Sequence, residues 1–261
     1  MYDTSADAER VREGDLVLLI LDERRRAVVR AAGDVPVGTD KGLIERGAII
    51  GAPYGSAVRT SRGATVHVMR PLRHDYQLAV ERTTQVIYPK DAALMIFLSG
   101  IGPSSRVGEG GVGTGLFAAF VASFLSRDGR LYSYDVDESA LEVARRNLER
   151  LGLIDRVVLK RADVRCCVEE RGLDAFFLDI PDPWEAVGQV RQALRPSAPL
   201  LALVPTVKQA ERLVSELRSQ AFVDVRVMEL LLREWKTEPY LRPRDRMVGH
   251  TGFIVFARKT A

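Results

Sequence analysis

The residues with the clearest chemistry lie in Arg106-Val107-Gly108-Glu109-Gly110-Gly111-Val112-Gly113-Thr114-Gly115, a strand running into a glycine-rich turn with a helix expected from Leu116. Glycines let backbone approach a ligand closely. The N-terminus of the following helix, at Leu116 and Phe117, offers free N–H groups to an anionic group. Two ligands suit this pattern. Gly108-x-Gly110-x-x-Gly113 matches the dinucleotide fingerprint. Alternatively Glu109 opens a loop whose working glycines are Gly111, Gly113 and Gly115, and the anionic group is the carboxylate of S-adenosylmethionine. Glu109 favours the second reading, because an acid inside a phosphate turn would repel a pyrophosphate and this methyl donor has no phosphate.

Three further acids follow at strand ends. Asp135 closes Leu131-Tyr132-Ser133-Tyr134, about 20 residues beyond the glycine loop, where a carboxylate accepts ribose hydroxyls. It could instead cap the helix expected from Glu138, a role open to Asp137 as well. Asp163 follows Val157-Val158-Leu159-Lys160 and is placed to accept from the donor's adenine amino group. Asp179 follows the apolar strand Ala175-Phe176-Phe177-Leu178 and begins Asp179-Ile180-Pro181-Asp182-Pro183-Trp184. A proline-stiffened acid beside an aromatic face suits a base turned out of its stack.

Positioning these residues requires alternating strands and helices from Ser105 onward, which implies a parallel sheet covered on both faces. Helices are expected over Glu138–Leu151, Trp184–Leu194 and Val207–Ser219, and late strands over Val223–Leu232 and Gly252–Ala257. With no helix between them, the late strands form a hairpin that inserts one antiparallel strand. The fold class is therefore α/β, a Rossmann-like catalytic domain at residues 76–261. Residues 1–75 read as a small β domain, with strands at Leu16–Leu21, Ala27–Arg30, Ala48–Ile50 and Thr65–Met69 and turns at 34–38 and 51–55.

Hydrophobic residues at 46% and charged residues at 28% fit an ordinary globular chain, and a net charge of +3 neither demands nor excludes a nucleic-acid partner. The adjacent Cys166 and Cys167 read as two small buried side chains after a strand, without disulfide or metal. His67, His74 and His250 have no ligand spacing, so no metal is expected. No leader and no membrane-length apolar run is seen, and a cytoplasmic protein is expected. Arg24-Arg25-Arg26, Arg30, Arg70, Arg73, Arg242, Arg244 and Arg246 are candidates for phosphate contacts, against the plain alternative of solvated surface.

The chain resembles the tRNA (adenine-N1)-methyltransferases of the T-loop, in their archaeal form, over nearly its whole length. The resemblance rests on Gly51-Ala52-Pro53-Tyr54-Gly55, on residues 82–91 (RTTQVIYPKD), on the glycine loop with the Asp179–Trp184 stretch, and on residues 246–253 (RMVGHTGF). It implies a class I S-adenosylmethionine-dependent methyltransferase fold, a homotetramer, and 1-methyladenosine formation at tRNA position 58, and in archaea often 57. It implies donor binding by Thr114, Gly115, Leu116, Phe117, Asp135 and Asp163. Gln85 and Tyr88 would line the pocket, and Asp179 would stand between donor and target adenine, in contact with both. Asp135 stands where the family more often has Glu, and Thr114 where Ser is common. Adenine N1 already carries a lone pair, so no base is needed to expose it. A carboxylate accepting from N6 raises electron density at N1 and stabilises the cation that forms. The competing readings are a class I methyltransferase acting on a protein carboxylate or small molecule, and a non-catalytic tRNA-binding subunit.

Overall fold

The computed structural model describes residues 10–32, 36–82 and 85–261. Asp34 and Val35 of the first turn and Thr83 and Thr84 of the 82–91 stretch lie outside the described residues. The chain forms two compact units, Met1–Val80 and Glu81–Ala261. The first extends past residue 75 for a specific reason. The Asp75 carboxylate is buried, accepts the Leu72 N–H at 2.9 Å and pairs with Arg26 at 3.1 Å, which keeps the short 3-10 segment Arg73–Leu78 with this unit.

The first unit contains β1 (Leu16–Ile20), β2 (Arg26–Arg30), β3 (Val37–Thr39), β4 (Gly42–Ile44), the one-turn helix α1 (Arg46–Ile49), β5 (Ala57–Arg59) and β6 (Thr65–Met69). Among the described residues its main sheet runs β2-β1-β6-β5, all antiparallel. Alternation in Thr65-Val66-His67-Val68-Met69 buries Val66 and Val68 against Val17, Leu19 and Ile44. The strand expected at Ala48–Ile50 is instead α1 and the turn after it. Ala48 N–H bonds back to the Glu45 carbonyl at 3.0 Å, and that turn drives Ile49 into the core, which a segment this short could not do as an unpaired strand.

The second unit begins with α2 (Pro89–Ser99), entered through proline at its first turn and ended by Gly100. Then follow β7 (Arg106–Gly110), α3 (Leu116–Ala122), β8 (Arg130–Asp135), α4 (Glu138–Leu151), β9 (Val157–Arg161), β10 (Ala175–Leu178), α5 (Val187–Ala193), β11 (Pro199–Val204), α6 (Val207–Ser219), β12 (Phe222–Met228), β13 (Trp235–Lys236), β14 (Arg242–Pro243) and β15 (Phe253–Lys259). Among the described residues, seven strands form one sheet in the order β12-β15-β11-β10-β7-β8-β9. Only β15 runs antiparallel to both neighbours, as the inserted hairpin strand. The helix expected over Trp184–Leu194 opens as a 3-10 turn, Pro183–Ala186. The strand expected to reach Leu232 leaves the sheet after Met228, beyond the last residue with a partner in β15.

Candidate functional site

The chain runs from β7 outward through β8 and β9 on one side, while β10 and β11 lie on the other. The carboxyl ends of β7 and β10 therefore flank the switch point, where open α/β sheets leave a crevice for ligands. The two strands pair with Leu178 opposite Gly110, and Asp179 N–H bonds the Gly110 carbonyl at 2.9 Å. Gly111 leaves β7 at a φ of 88°, with its N–H on the Tyr134 carbonyl at 2.9 Å.

A cavity of about 280 Å³ opens over these strand ends. Among the described residues its charged lining is Asp135, Asp163, Asp179 and Asp182 against the single cation Arg165. Such a wall repels a pyrophosphate and suits a cationic ligand. A narrower crevice shares Gly111 and Asp179 with this cavity and adds Gln85, Ile87, Gly113, Thr114, Leu116 and Phe117. Asp179 thus stands where the two spaces meet. Its open area faces these hollows while protein atoms crowd its other sides, and that burial raises its pKa to about 6.

Asp135 accepts the Gly113 N–H at 3.1 Å and the Asp137 N–H at 3.0 Å. The cap of α4 is Asp137, which accepts the Ser139 N–H at 2.8 Å, so Asp135 is left to tie the glycine turn and face the cavity. Asp135→Ala is expected to weaken binding of S-adenosylmethionine by about 1.5–3 kcal/mol, the range for hydrogen bonds to a charged group. Unchanged affinity by calorimetry in a folded variant would remove Asp135 from the donor site. Asp163 lines the cavity with its carboxylate held by Arg165, at 2.9 Å from Nε and 2.7 Å from Nη2, and this pairing lowers its pKa.

Glu109 takes a different place from the one read in the sequence. It lies beneath the turn, buried, and accepts from the Ser133 hydroxyl; desolvation pushes its pKa up to about 8. Among the described residues, Glu109, Tyr88 and Trp184 are absent from the lining of both hollows. Tyr88 is 42% exposed and precedes α2, its carbonyl accepting the N–H groups of Asp91 and Ala92. The Trp184 ring packs on the core with the Arg212 guanidinium 4.3 Å above it. Gly115 starts α3, and Phe117 sets its ring edge-on to Phe177.

Sequence reading missed Arg165, Asp182 and Asn147. Asn147 is buried on α4, donates to the carbonyls of Thr114 and Glu81, and accepts the Glu81 N–H, each at 2.9 Å. It ties the glycine turn to the segment leading to Gln85. The signal was present: Asn147 is a polar residue on the apolar stripe Ala140-Ala144-Leu148-Leu151 of an amphipathic helix. The 82–91 and 246–253 stretches also meet. Lys90 donates to Asp91 at 2.7 Å and Thr251 at 2.6 Å, and Thr251 donates to Asp91 at 2.7 Å.

The arginine clusters are largely engaged. Arg25 pairs with Asp22 and Asp40, Arg26 with Asp75, Arg242 with Asp245, and Arg244 faces Glu234 at 3.2 Å. No described helix is long and apolar enough to cross a membrane. Among the described residues no cluster of His, Cys, Asp or Glu is arranged to hold a metal ion.

Residues 64–240 match the family described as tRNA methyltransferase complex GCD14 subunit. The chain belongs to this family. The match contains the glycine turn, Asp135, Asp163 and Asp179. Two relatives are named as tRNA methyltransferases. TrmI of Methanocaldococcus jannaschii, a tRNA (adenine(57)-N(1)/adenine(58)-N(1))-methyltransferase, is 28% identical over 92% of this chain and 94% of its own. TrmI of Thermus thermophilus, a tRNA (adenine(58)-N(1))-methyltransferase, is 33% identical over 84% and 87%. Two solved structures share the whole architecture. A Thermotoga maritima protein described as a SAM-dependent O-methyltransferase superposes with a TM-score of 0.91 at 30% identity, over 100% of this chain and 98% of its own. Aquifex aeolicus tRNA (m1A58) methyltransferase TrmI gives 0.84 at 28% identity, over 97% and 99%. The fold is thus a Rossmann-like class I methyltransferase.

Proposed function

We propose that the chain transfers the methyl group of S-adenosylmethionine to N1 of adenine 58 in the tRNA T-loop, with adenine 57 as a second target. The observation that carries this reading is Asp179, a carboxylate at the junction of an acidic cavity and a glycine-walled crevice. The residues present fit the donor: four carboxylates line the cavity that would take a sulfonium-bearing molecule, and the Gly111 turn packs so closely on the Asp179 backbone that a Cβ there would strike its carbonyl oxygen. Asp135 would take the ribose, the Asp163–Arg165 wall the adenine side, and the turn from Gly113 to Phe117 with Gln85 the methionine side. When bound, the donor supplies an electrophilic methyl group. The Asp179 carboxylate accepts from N6 of the target base and stabilises the charge that N1 acquires. Holding N1 in line with the donor's methyl group would supply much of the remaining rate.

Methylation of unmodified tRNA, followed by nucleoside digestion and mapping, tests the proposal; 1-methyladenosine at 58 is expected. The description of the Thermotoga maritima protein as an O-methyltransferase favours a second reading, methylation of an oxygen acceptor, which the same digestion would expose by the absence of 1-methyladenosine.

Surface residues carry two more expectations. Replacing Arg242, Arg244 and Arg246 by Ala should flatten the dependence of log affinity on log salt by up to about 0.7–0.9 for each phosphate no longer neutralised. Arg242 and Arg244 are offset by Asp245 and Glu234, so Arg246→Ala alone should give most of that change; an unaltered slope would make the cluster solvated surface. The segment carrying β13 and β14 exposes Leu231, Leu232, Trp235, Tyr240, Leu241 and Val248. Apolar exposure on this scale marks an association surface, which supports a homotetramer, measurable by light scattering.

A further inference from the structure

Cys166 and Cys167 directly follow Arg165 in the cavity wall. They do not pack inward as the sequence suggested. Val164 and Val168 take the buried positions on either side, which leaves the turn between them facing out. Both thiols are free and exposed, and their sulfurs lie 2.9 Å apart. The backbone holds them in that register, because the Cys166 and Cys167 N–H groups both donate to the Asp163 carbonyl, at 3.1 and 2.8 Å. The Cys166 thiol leans on the same carbonyl at 3.6 Å. The neighbouring Cys167 thiol pushes the Cys166 pKa up. This slows attack through the Cys166 thiolate but leaves two side-by-side sulfurs able to close on one atom.

Methyl transfer makes no use of this pair. We propose that Cys166 and Cys167 form a vicinal dithiol site for trivalent arsenicals at the rim of the donor cavity, and that filling it lowers affinity for S-adenosylmethionine. The second half rests on reading that cavity as the donor site. In the reaction a hydrated arsenical, R–As(OH)2, exchanges its two As–O bonds for two As–S bonds. Each thiol proton leaves with a hydroxide as water, and no electron is transferred. The second As–S bond closes within one molecule, so two adjacent thiols hold the arsenic far better than one.

The coupling has an atomic route. Once bonded to arsenic, the Cys166 sulfur has no proton and turns a lone pair toward the Asp163 carbonyl oxygen. Asp163 and Arg165 are locked to each other through the carboxylate, so displacing the turn displaces the cavity wall. By linkage, donor and arsenical must each weaken the other.

The test uses the full chain with phenylarsine oxide as probe. Intact mass should show one adduct on the wild type, reversed by ethanedithiol, with Cys166→Ser and Cys167→Ser each binding roughly a hundredfold more weakly. Calorimetry should show donor affinity about tenfold lower in the adduct. The double variant C166S/C167S should keep donor affinity with or without the reagent. Absence of an adduct, or Ser variants that hold the reagent as tightly as wild type, overturns the dithiol site. An adduct with unchanged donor affinity overturns the coupling. An untreated wild type that binds no S-adenosylmethionine refutes the donor-site reading and the coupling with it, while the mass shift still decides the dithiol.

Discussion

Asp179→Asn is expected to slow methyl transfer to tRNA by about 100- to 1,000-fold, the cost of removing one preorganised electrostatic group aimed at developing charge. The Asn side chain keeps the shape and one acceptor oxygen, so donor affinity should change far less than turnover. The charge matters most at the moment N1 becomes cationic, which is why the loss falls on the rate rather than on binding. Burial raises the Asp179 pKa to about 6, and this adds a signature in pH. The working form is the carboxylate, and protonation removes it. Single-turnover rates of the wild type should therefore fall about tenfold per pH unit once pH drops below about 6. The Asn variant has no such group and should show no inflection there. A folded Asp179→Asn enzyme with near-normal turnover would refute the charge argument and leave the loop as a shape element.

The arrangement of the catalytic unit was legible because it depends on periodicity and glycine. The apolar stripes of α4 and α6, the fully buried β10, and the turn at Gly111 to Gly115 are local patterns, and each lies within a few residues of its expected place. Asp135, Asp163 and Asp179 were legible for the same reason: each is the acid at or just past a strand end, and a parallel sheet gathers those ends on one edge. What failed to show depends on partners distant in sequence. Glu109 reads as a loop acid, but its rotamer follows from Ser133, on the next strand. Trp184 reads as a face for a base, yet Arg212 of α6 covers it. Arg25 and Arg26 read as a cationic patch until Asp40 and Asp75 are brought beside them. Cys166 and Cys167 face out because two valines, not the cysteines, match the spacing of the core beneath them.

Gly111→Ala is expected to cost more than any other single-methyl change in the catalytic unit. Two independent penalties meet at this residue. Its φ of 88° lies in the left-handed region, which costs a residue with a Cβ roughly 1–2 kcal/mol. The added Cβ would also sit 2.1 Å from the Asp179 carbonyl oxygen and 2.9 Å from its carbonyl carbon. Both atoms are backbone, so no side chain can swing aside to relieve the contact. Either the β7 turn or the Asp179 segment must move, and each lines both hollows. Donor affinity and turnover should therefore fall together, with the loss of turnover on the order of 100-fold or more, since small misplacements of reacting groups carry costs of that size. Gly188→Ala in α5 is the matched control. Nothing lies within 4 Å of a Cβ built there, and in a helix Ala is more favourable than Gly by about 1 kcal/mol, so thermal stability should hold or rise. Calorimetry with S-adenosylmethionine, single-turnover methylation and thermal melts on both variants separate the two cases. A Gly111→Ala enzyme with wild-type donor affinity and rate would mean that the strand ends can part without loss, and that close contact between Gly111 and Asp179 is no part of how the site works.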